Sequence, residues 1–173
     1  MTYLTQDEFR RVLLAAPPQH RLWMLVAYYH GLRISEVLGI LPQDIQDGKL
    51  IIKRGKDSRT TTQSLVHHID PLMDECGQLS RLPLQHTRLF PYHRSHAWKI
   101  FHAAVLAAGL PITAAHPHVC KHSCAMTMLE NGAALNDVQA RLGHKSITST
   151  ARYLHANDRT ADHAALKAFG GLS

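Results

Sequence analysis

The stretch of sequence that decides the fold is PHVCKHSCAMTMLENGAALNDVQARLGHKSITSTARYL, residues 117–154. It contains two amphipathic segments, and each ends at a glycine that can close a helix in the left-handed conformation, Gly132 and Gly143. Because His144 directly follows the second glycine, it is predicted to lie at the start of a turn. The stretch therefore predicts short helices separated by turns, with polar groups presented at the helix ends.

Four polar residues of this stretch stand at defined spacings. His118 and Lys121 are three residues apart, which on a helix places them on one face, where both side chains could reach a single anionic group. His144 follows later, and Tyr153 comes nine residues after it. A tyrosine taken alone is more often a half-buried helix residue than a nucleophile.

Arg33 lies in the segment GLRISE, between two apolar residues. An unpaired charge in an apolar setting costs several kcal/mol, so this guanidinium is expected to be paired or to bind an anion. Glu36, three residues on, would give a purely structural pair. Beside the other motifs we favour phosphate binding by Arg33, with Glu36 holding the local structure.

A basic turn, RGKDSR at residues 54–59, separates two β-rich segments, KLIIK at 49–53 and SLVHHI at 64–69. This pattern predicts a small antiparallel hairpin or the edge of a three-stranded sheet. The turn carries Lys56. A merely solvated basic turn is an equally good interpretation, and it would still suit DNA phosphates.

Most of the remaining chain predicts helices. Thr5 and Glu8 form a capping box before a helix that ends at Pro17-Pro18, and residues 20–30 predict a central helix buried on most sides. Further helices are expected over 71–79, over 95–108 with Ser95 as the cap, and after Tyr153. The predicted fold class is therefore mainly α with a small antiparallel β-sheet, an α+β fold.

Length and composition limit the possible classes of protein. The 173 residues suit one domain with a proper core, and the net charge of +6 favours nucleic acid or another anionic partner. Three cysteines without a signal peptide argue against a disulfide framework and favour a reducing compartment. No apolar run approaches the length of a membrane span, so a soluble, cytoplasmic protein is expected.

The motifs of residues 117–154 resemble the catalytic domain of the tyrosine recombinase (phage integrase) family. That family has H-x-x-R, then L-G-H, then a nucleophilic tyrosine about nine residues later; His118, the Leu142-Gly143-His144 run and Tyr153 match these positions. Lys121 stands where the family usually has its second arginine. It keeps the positive charge but loses the planar fork that grips two phosphate oxygens.

Two upstream residues extend the resemblance. Arg33 matches the first catalytic arginine of the family, in a motif of the form G-L-R-x-S-E. The family carries a catalytic lysine on a β-turn, and Lys56 is the better match, with Lys53 as the runner-up. The resemblance covers the chain from Leu4 to about Leu166.

The resemblance implies a reaction without cofactor, metal or ATP. Tyr153 would attack the scissile phosphate and form a 3′-phosphotyrosyl link, Lys56 would protonate the leaving 5′ oxygen, and His118 would assist proton transfer near the tyrosine. The non-bridging oxygens would be held by Arg33 and Lys121, with a further hydrogen bond from His144.

The resemblance also implies the organisation and partners of the protein. We expect residues 1–173 to form a single catalytic domain that lacks the N-terminal core-binding domain of the family. Double-stranded DNA is the expected partner, and its binding is expected to be weak and sensitive to salt. The chain is expected to be a monomer when free and a homo-oligomer, a tetramer, on DNA. Leu166 and Phe169 are candidates for contacts with a neighbouring protomer. A bacterial cell, with the protein at the nucleoid, is the expected setting.

The sequence is also compatible with other functions. A catalytically weakened homologue that acts as a DNA-binding or regulatory protein is the main alternative, and a type IB topoisomerase-like enzyme fits the motifs less well. Zinc binding is the competing chemistry, because ligand types alternate in a short segment: His116, His118, Cys120, His122 and Cys124. The pair His118 and His122 and the pair Cys120 and Cys124 each have i, i+4 spacing, but the two pairs lie on different faces of one helix. Buried core cysteines are therefore favoured over zinc ligands.

Overall fold

The structure, a computed structural model, describes residues 2–55, 58–83, 87–151 and 153. Its helices are α1 (Gln6–Ala15), α2 (Pro18–His30), α3 (Ile34–Val37), α4 (Glu75–Ser80), α5 (Arg94–Ala107), α6 (Val119–Glu130), α7 (Leu135–Leu142) and α8 (Thr148–Ala151). One sheet contains the strands β1 (Ile45–Gln46), β2 (Lys49–Ile52) and β3 (Thr61–Ser64). The predicted fold class, mainly α with a small antiparallel sheet, is confirmed.

Helix α2 is the centre of the core. Its residues Trp23, Met24 and Leu25 have no exposed surface, and the helix packs against α6 and also against α1, α4 and α5. Helix α1 begins with the predicted capping box, in which Thr5 Oγ1 accepts from the Glu8 amide at 3.3 Å and Glu8 Oε2 accepts from the Thr5 amide at 2.8 Å. Both features follow from local sequence, and both are confirmed.

The sheet has the strand order β1-β2-β3, and both pairings are antiparallel. The prediction of the second strand at residues 64–69 is wrong. Strand β3 lies earlier in the sequence, and its last residue, Ser64, pairs with Lys49. The physical reason is that the backbone donor of Val66 is taken by a side chain. Its amide donates to Glu75 Oε2 at 2.8 Å, so the chain leaves the sheet there.

Two predicted helix starts differ from the structure. Residues 71–73 form a turn rather than the start of a helix, because Asp70 Oδ1 accepts from the Leu72 amide at 3.0 Å, and α4 begins only at Glu75. Helix α5 begins at Arg94, and its cap is His93, whose ring nitrogen accepts from the amide of Ser95. The expected cap, Ser95, therefore lies inside the helix.

The two helix ends predicted from glycine are confirmed. Helix α6 is followed by Gly132 with φ +83°, and α7 is followed by Gly143 with φ +65°. The helix expected after Tyr153, with Leu166 and Phe169, lies outside the described residues. Across the described ranges, none of the helices has both the length and the apolar character that crossing a membrane requires.

Candidate active site

The C-terminal ends of α2 and α7 meet, and this meeting brings the G-L-R and L-G-H motifs together. Gly31 ends α2 with φ +60°, and Gly143 ends α7 with φ +65°. A Cβ on Gly31 would lie 2.5 Å from Leu142 Cδ2 and 3.3 Å from Cys124 Cβ, so a larger residue would have to displace Leu142 as well as adopt the strained φ. Gly31, which directly precedes Leu32 and Arg33, is thus packed against both α6 and α7.

Arg54 joins the two helix ends from the basic turn. Its side chain has no exposed surface, and its Nη2 donates to the carbonyls of His30 at 3.0 Å and Arg141 at 2.9 Å. Its Nη1 lies 3.4 Å from both the Gly31 carbonyl and Glu36 Oε2. Carbonyls at a helix C-terminus lack partners within the helix and carry partial negative charge, so one guanidinium satisfies both helices. Burial lowers the pKa of Arg54, and the Glu36 carboxylate opposes that shift.

Two side chains complete this junction. The guanidinium of Arg141, in the last turn of α7, donates through Nε and Nη2 to the carbonyl of Tyr29 at 3.2 and 2.8 Å. The amide of Gln63, on β3, donates to the Arg141 carbonyl at 2.7 Å. The end of α2 is therefore held by donors from α7 and the basic turn, and the end of α7 by donors from the sheet and the basic turn.

Arg33 differs from its predicted setting. Its side chain is 45% exposed at the start of α3, so the buried arginine expected beside the apolar motif is Arg54 instead. Glu36 accepts from the Arg33 amide at 2.8 Å, and its other oxygen lies 3.5 Å from Arg33 Nη1. The structural pair is thus present, and it leaves much of the Arg33 guanidinium open to an anion.

The two candidate lysines of the hairpin are placed differently. Lys56 lies outside the described residues. Lys53 is 65% exposed, and its ammonium binds the carboxylate of Asp44 at 2.7 Å. That contact holds Lys53 on the β1 side of the sheet.

The basic turn reaches the L-G-H motif on its far side. Ser58 forms an antiparallel bridge with His144, and the Arg59 amide donates to the Gly143 carbonyl at 2.8 Å. A Cβ on Gly143 would lie 2.6 Å from Arg54 Cδ and 2.8 Å from the Arg59 carbonyl oxygen. The glycine of this motif is therefore required both by its φ and by the close approach of the turn.

His144 is buried, with 6% of its surface exposed. Its Nδ1 lies 2.8 Å from Thr150 Oγ1 of α8, and its carbonyl accepts from Gln139 Nε2 at 3.1 Å. These contacts, with the bridge to Ser58, fix the orientation of the imidazole ring. Nε2 is the nitrogen through which the ring could donate to a phosphate.

His118 and Lys121 differ in burial, although three residues separate them. His118 is exposed immediately before α6, whereas Lys121 lies in the first turns of α6 with 1% of its surface exposed. The predicted common face therefore runs from the surface into the core. An anion that contacts both side chains must reach into the protein at the start of α6.

Tyr153 lies in the core with no exposed surface, packed with Leu129, Val138 and Leu142. Its hydroxyl is 3.2 Å from Nδ1 of His122. The interpretation of Tyr153 as a half-buried helix residue thus understates its burial. The tyrosine oxygen is held by a hydrogen bond rather than presented at the surface.

His122 links Tyr153 to the surface of the protein. Its ring lies 5.8 Å from the ring of Tyr153 and 4.7 Å from that of His118, to which it is perpendicular. In the sequence, His122 stands out only as a candidate zinc ligand. The signal that could have found it is its position directly after Lys121 and one helical turn after His118.

The cysteines of α6 belong to the core. Cys120 and Cys124 are buried free thiols, and burial raises the pKa of both, so they are neutral. Within the part of the chain that the structure describes, no three His, Cys, Asp or Glu side chains come together in a way that could hold a metal. The interpretation as core cysteines agrees with their burial.

Comparison with known proteins decides the family. Residues 2–160 match the phage integrase family. This chain is a member of that family. The junction of α2, α7 and the basic turn is therefore the part of a phage integrase domain in which the G-L-R and L-G-H motifs meet.

Relatives of this phage integrase family member carry two kinds of name. The type 1 fimbriae regulatory protein FimE of Escherichia coli is 30% identical over 151 residues, a match that covers 78% of this chain and 73% of FimE. The tyrosine recombinase XerA of Pyrococcus furiosus is 30% identical over 175 residues, covering 92% of this chain and 58% of XerA. The chain therefore spans somewhat less than two thirds of the length of the XerA relative.

Solved structures share the fold of this family member. The catalytic domain of bacteriophage HP1 integrase superposes with a TM-score of 0.71 at 23% identity, covering 99% of this chain and 96% of that domain. The XerA recombinase gives a TM-score of 0.72 at 21% identity, covering 98% of this chain and 64% of that protein. At these identities the likeness concerns the fold alone, and it agrees with the predicted α+β class.

Proposed function

We propose that this chain is a site-specific DNA recombinase that cleaves and rejoins duplex DNA through a 3′-phosphotyrosyl intermediate. The observation that carries the proposal is the junction built on Arg54, where the G-L-R motif, the basic turn and the L-G-H motif come together. Membership of the phage integrase family and the relatives named tyrosine recombinase support it.

The proposed reaction begins at the tyrosine. The Tyr153 oxygen forms a bond to the scissile phosphorus, and the bond from phosphorus to the 5′ oxygen breaks. Lys56 gives a proton to the 5′ oxygen, and the proton of the tyrosine passes to the histidines beside it, with His118 as the exposed member. The covalent link conserves the energy of the broken bond, so rejoining needs no ATP and the mechanism uses no cofactor.

Charge on the phosphate is stabilised by three side chains in this proposal. Arg33 offers a half-exposed guanidinium, and Lys121 and His144 lie deeper in the domain. Donors that are already oriented act strongly in a site that excludes water, because they need no reorganisation during the reaction. The hydrogen bond between His144 Nδ1 and Thr150 and the contact of Arg33 Nη1 with Glu36 Oε1 provide that orientation.

The burial of Tyr153 adds a step to the mechanism. A DNA phosphate cannot contact an oxygen on a side chain with no exposed surface, so Tyr153 must become exposed when the chain binds DNA. The free chain then has a protected nucleophile. Cleavage would depend on a rearrangement around Tyr153 that DNA induces or selects.

Lys121 is expected to slow the chemistry without preventing it. An ammonium is a point charge, whereas the arginine usual at this position in the family holds two oxygens at once. We therefore expect the Lys121→Arg variant to cleave about tenfold faster than the native chain. A rate equal to or below the native rate would show that the buried position is adapted to lysine.

The partners in this proposal are duplex DNA and further copies of the chain. Lambda integrase has been solved as a dimer bound to a COC′ core site and as a tetramer bound to a Holliday junction. By analogy with those assemblies, we propose that this chain is a monomer when free and forms an oligomer on its DNA site.

Covalent capture on DNA tests the proposal. Binding sites are first selected from a random-sequence duplex pool, and the selected sequences are prepared as nicked suicide duplexes. The chain is incubated with these duplexes, and covalent complexes are detected by denaturing electrophoresis. We expect a covalent band from the native chain and none from Tyr153→Phe, which retains the ring. Binding without a band, in both the native chain and Lys121→Arg, would overturn the proposal in favour of a DNA-binding regulatory protein.

A further inference from the structure

A network of buried polar side chains connects α2 to the end of α7. His30 and Glu75 have no exposed side-chain surface, and Gln63 is 6% exposed. His30 Nδ1 lies 2.8 Å from Gln63 Oε1, and His30 Nε2 lies 2.8 Å from Glu75 Oε1. Gln63 Nε2 then reaches the Arg141 carbonyl at 2.7 Å. None of the residues His30, Gln63 and Glu75 belongs to a sequence motif, although His30 directly precedes Gly31 of the G-L-R motif.

The hydrogen bonds allow only one orientation of the Gln63 amide and one placement of the protons in this network. A backbone carbonyl only accepts, so Gln63 must direct its NH₂ to Arg141 and its Oε1 to His30. His30 Nδ1 must therefore carry a proton. The other ring nitrogen faces Glu75 Oε1, while Glu75 Oε2 accepts from the Val66 amide at 2.8 Å, so one more proton lies between His30 and Glu75. Each of these polar groups is then satisfied in a single arrangement.

The last member of this network, the Arg141 carbonyl, controls the position of the L-G-H turn. The Arg141 carbonyl lies in the last turn of α7, where carbonyls have no partner within the helix. It receives two donors, Gln63 Nε2 at 2.7 Å and Arg54 Nη2 at 2.9 Å. Only Leu142 and Gly143 separate this doubly held carbonyl from His144. A shift of the carbonyl would therefore be passed directly to the imidazole.

We propose that His30, Gln63 and Glu75 are positioning residues that hold His144 in place through the Arg141 carbonyl. The proposal rests on the function proposed above, in which His144 contacts the phosphate. A buried ion pair is a poor source of net stability, because apolar residues of similar volume often do as well. A fully satisfied polar network instead specifies one geometry, and a misplacement of about 1 Å can cost about a hundredfold in rate.

Two substitutions of Glu75 separate positioning from general stability. Glu75→Gln can keep every hydrogen bond, because its NH₂ donates to His30 Nε2 and its oxygen accepts from the Val66 amide. Glu75→Leu keeps the volume and removes both contacts. We expect Glu75→Gln to cleave within about threefold of the native single-turnover rate. We expect Glu75→Leu to be about 30-fold slower, with a DNA dissociation constant within about twofold of native.

Hydrogen exchange gives a readout that does not depend on activity. Gln63→Met removes the donor to the Arg141 carbonyl at similar volume, and we expect the amides of Gly143 and His144 to exchange about tenfold faster. The amide of Gly132, at the end of α6, should be unchanged. Thr62→Val, on the exposed face of the same strand, is the matched control and should alter none of these amides.

The outcomes distinguish this proposal from the proposed function. Equal acceleration of all three amides in Gln63→Met, or equal rates for Glu75→Gln and Glu75→Leu, would overturn the positioning role. If the native chain forms no covalent complex, the proposed function fails, and the exchange pattern still decides whether the network holds the L-G-H turn. If Gln63→Met does not fold, the same exchange measurement on Glu75→Leu decides.

Discussion

Arg54 is a buried arginine whose partners are mainly backbone carbonyls. Its side chain is fully enclosed between the ends of α2 and α7, and the carboxylate of Glu36 is its charged partner at 3.4 Å. An exposed ion pair such as Arg10 with Asp70 has water as an alternative partner for both groups. The contribution of Arg54 to stability should therefore be much larger.

We predict that Arg54→Met lowers the free energy of unfolding by about 3–5 kcal/mol, because it removes the buried cation that pairs with Glu36 and donates to the carbonyls of His30 and Arg141. Urea denaturation measures the change. Arg10→Met is the control; its guanidinium is 46% exposed, so the loss should stay below about 1 kcal/mol. Similar losses in the two variants would show that Arg54 is not a structural centre.

His20 predicts a loss of stability in mild acid. It is 3% exposed, and its Nδ1 accepts from Trp23 Nε1 at 3.1 Å. Burial, and then the nearby His96, lower the pKa of His20 below its ordinary value of about 6.5. A group whose pKa is lower in the folded state contributes stability above its unfolded pKa and loses it as the pH falls through the folded pKa.

NMR titration of the His20 ring protons should therefore give a midpoint below about 6.5, and urea stability should decrease between about pH 7 and pH 5. His96→Gln removes the second cause, so the midpoint of His20 should rise. A midpoint of His20 at or above the value of a free histidine would contradict the burial of its ring.

Tyr153 should be chemically protected in the free chain. Its side chain has no exposed surface, whereas Tyr3 and Tyr92 are partly exposed. With N-acetylimidazole we expect acetylation of Tyr153 at least about tenfold slower than that of Tyr3, because reaction requires local opening of the structure. Peptide mass spectrometry gives the rates. Comparable rates at the two residues would mean that the nucleophile is already exposed without DNA.

At the scale of elements, the ends of α2 and α7 determine the site. Each helix ends in a left-handed glycine, and each glycine precedes or lies within a motif of the family. The local sequence predicts Gly143 as a helix stop. The packing of the two helix ends against each other and against the basic turn adds a second requirement, which is the absence of a Cβ.

A pair of glycine substitutions separates these two requirements. Gly109 follows α5, and a Cβ there would have open space, so Gly109→Ala introduces only the strain of a φ of +71°. We expect it to lower the free energy of unfolding by about 1–2 kcal/mol. Gly143→Ala adds a clash with Arg54 and Arg59, and should cost roughly twice as much or more. Thermal unfolding measures both. Equal costs would show that the turn can move away from Gly143.

The whole molecule carries a net charge of +6, with 19 lysines and arginines against 13 acidic residues. Association with DNA should therefore be dominated by phosphate contacts and release of counterions. If about four phosphates are neutralised, raising the salt from about 50 to about 200 mM should weaken binding about a hundredfold. Fluorescence anisotropy with a labelled duplex tests this, and an affinity that does not change with salt would contradict it.

Different parts of the fold were predictable to different degrees. Helices α1, α2, α6 and α7 were predicted from caps, apolar periodicity and glycine stops, since these signals act within a few residues. Strand β3 and the start of α4 were not, because Glu75 takes the amide of Val66 and Asp70 turns the chain before α4. In the first case a side chain nine residues away overrides the local strand propensity, and in the second a local turn at Asp70 delays the helix.

By itself the sequence determined the family motifs and the fold class, since residue order and spacing are carried by the chain. It could not show that Arg33 is exposed while Arg54 is buried, or that Tyr153 contacts His122. These facts depend on which helix ends and side chains meet in space. Because a buried cation or hydroxyl takes whichever partner the packing provides, the tertiary structure alone decided how the motifs are held.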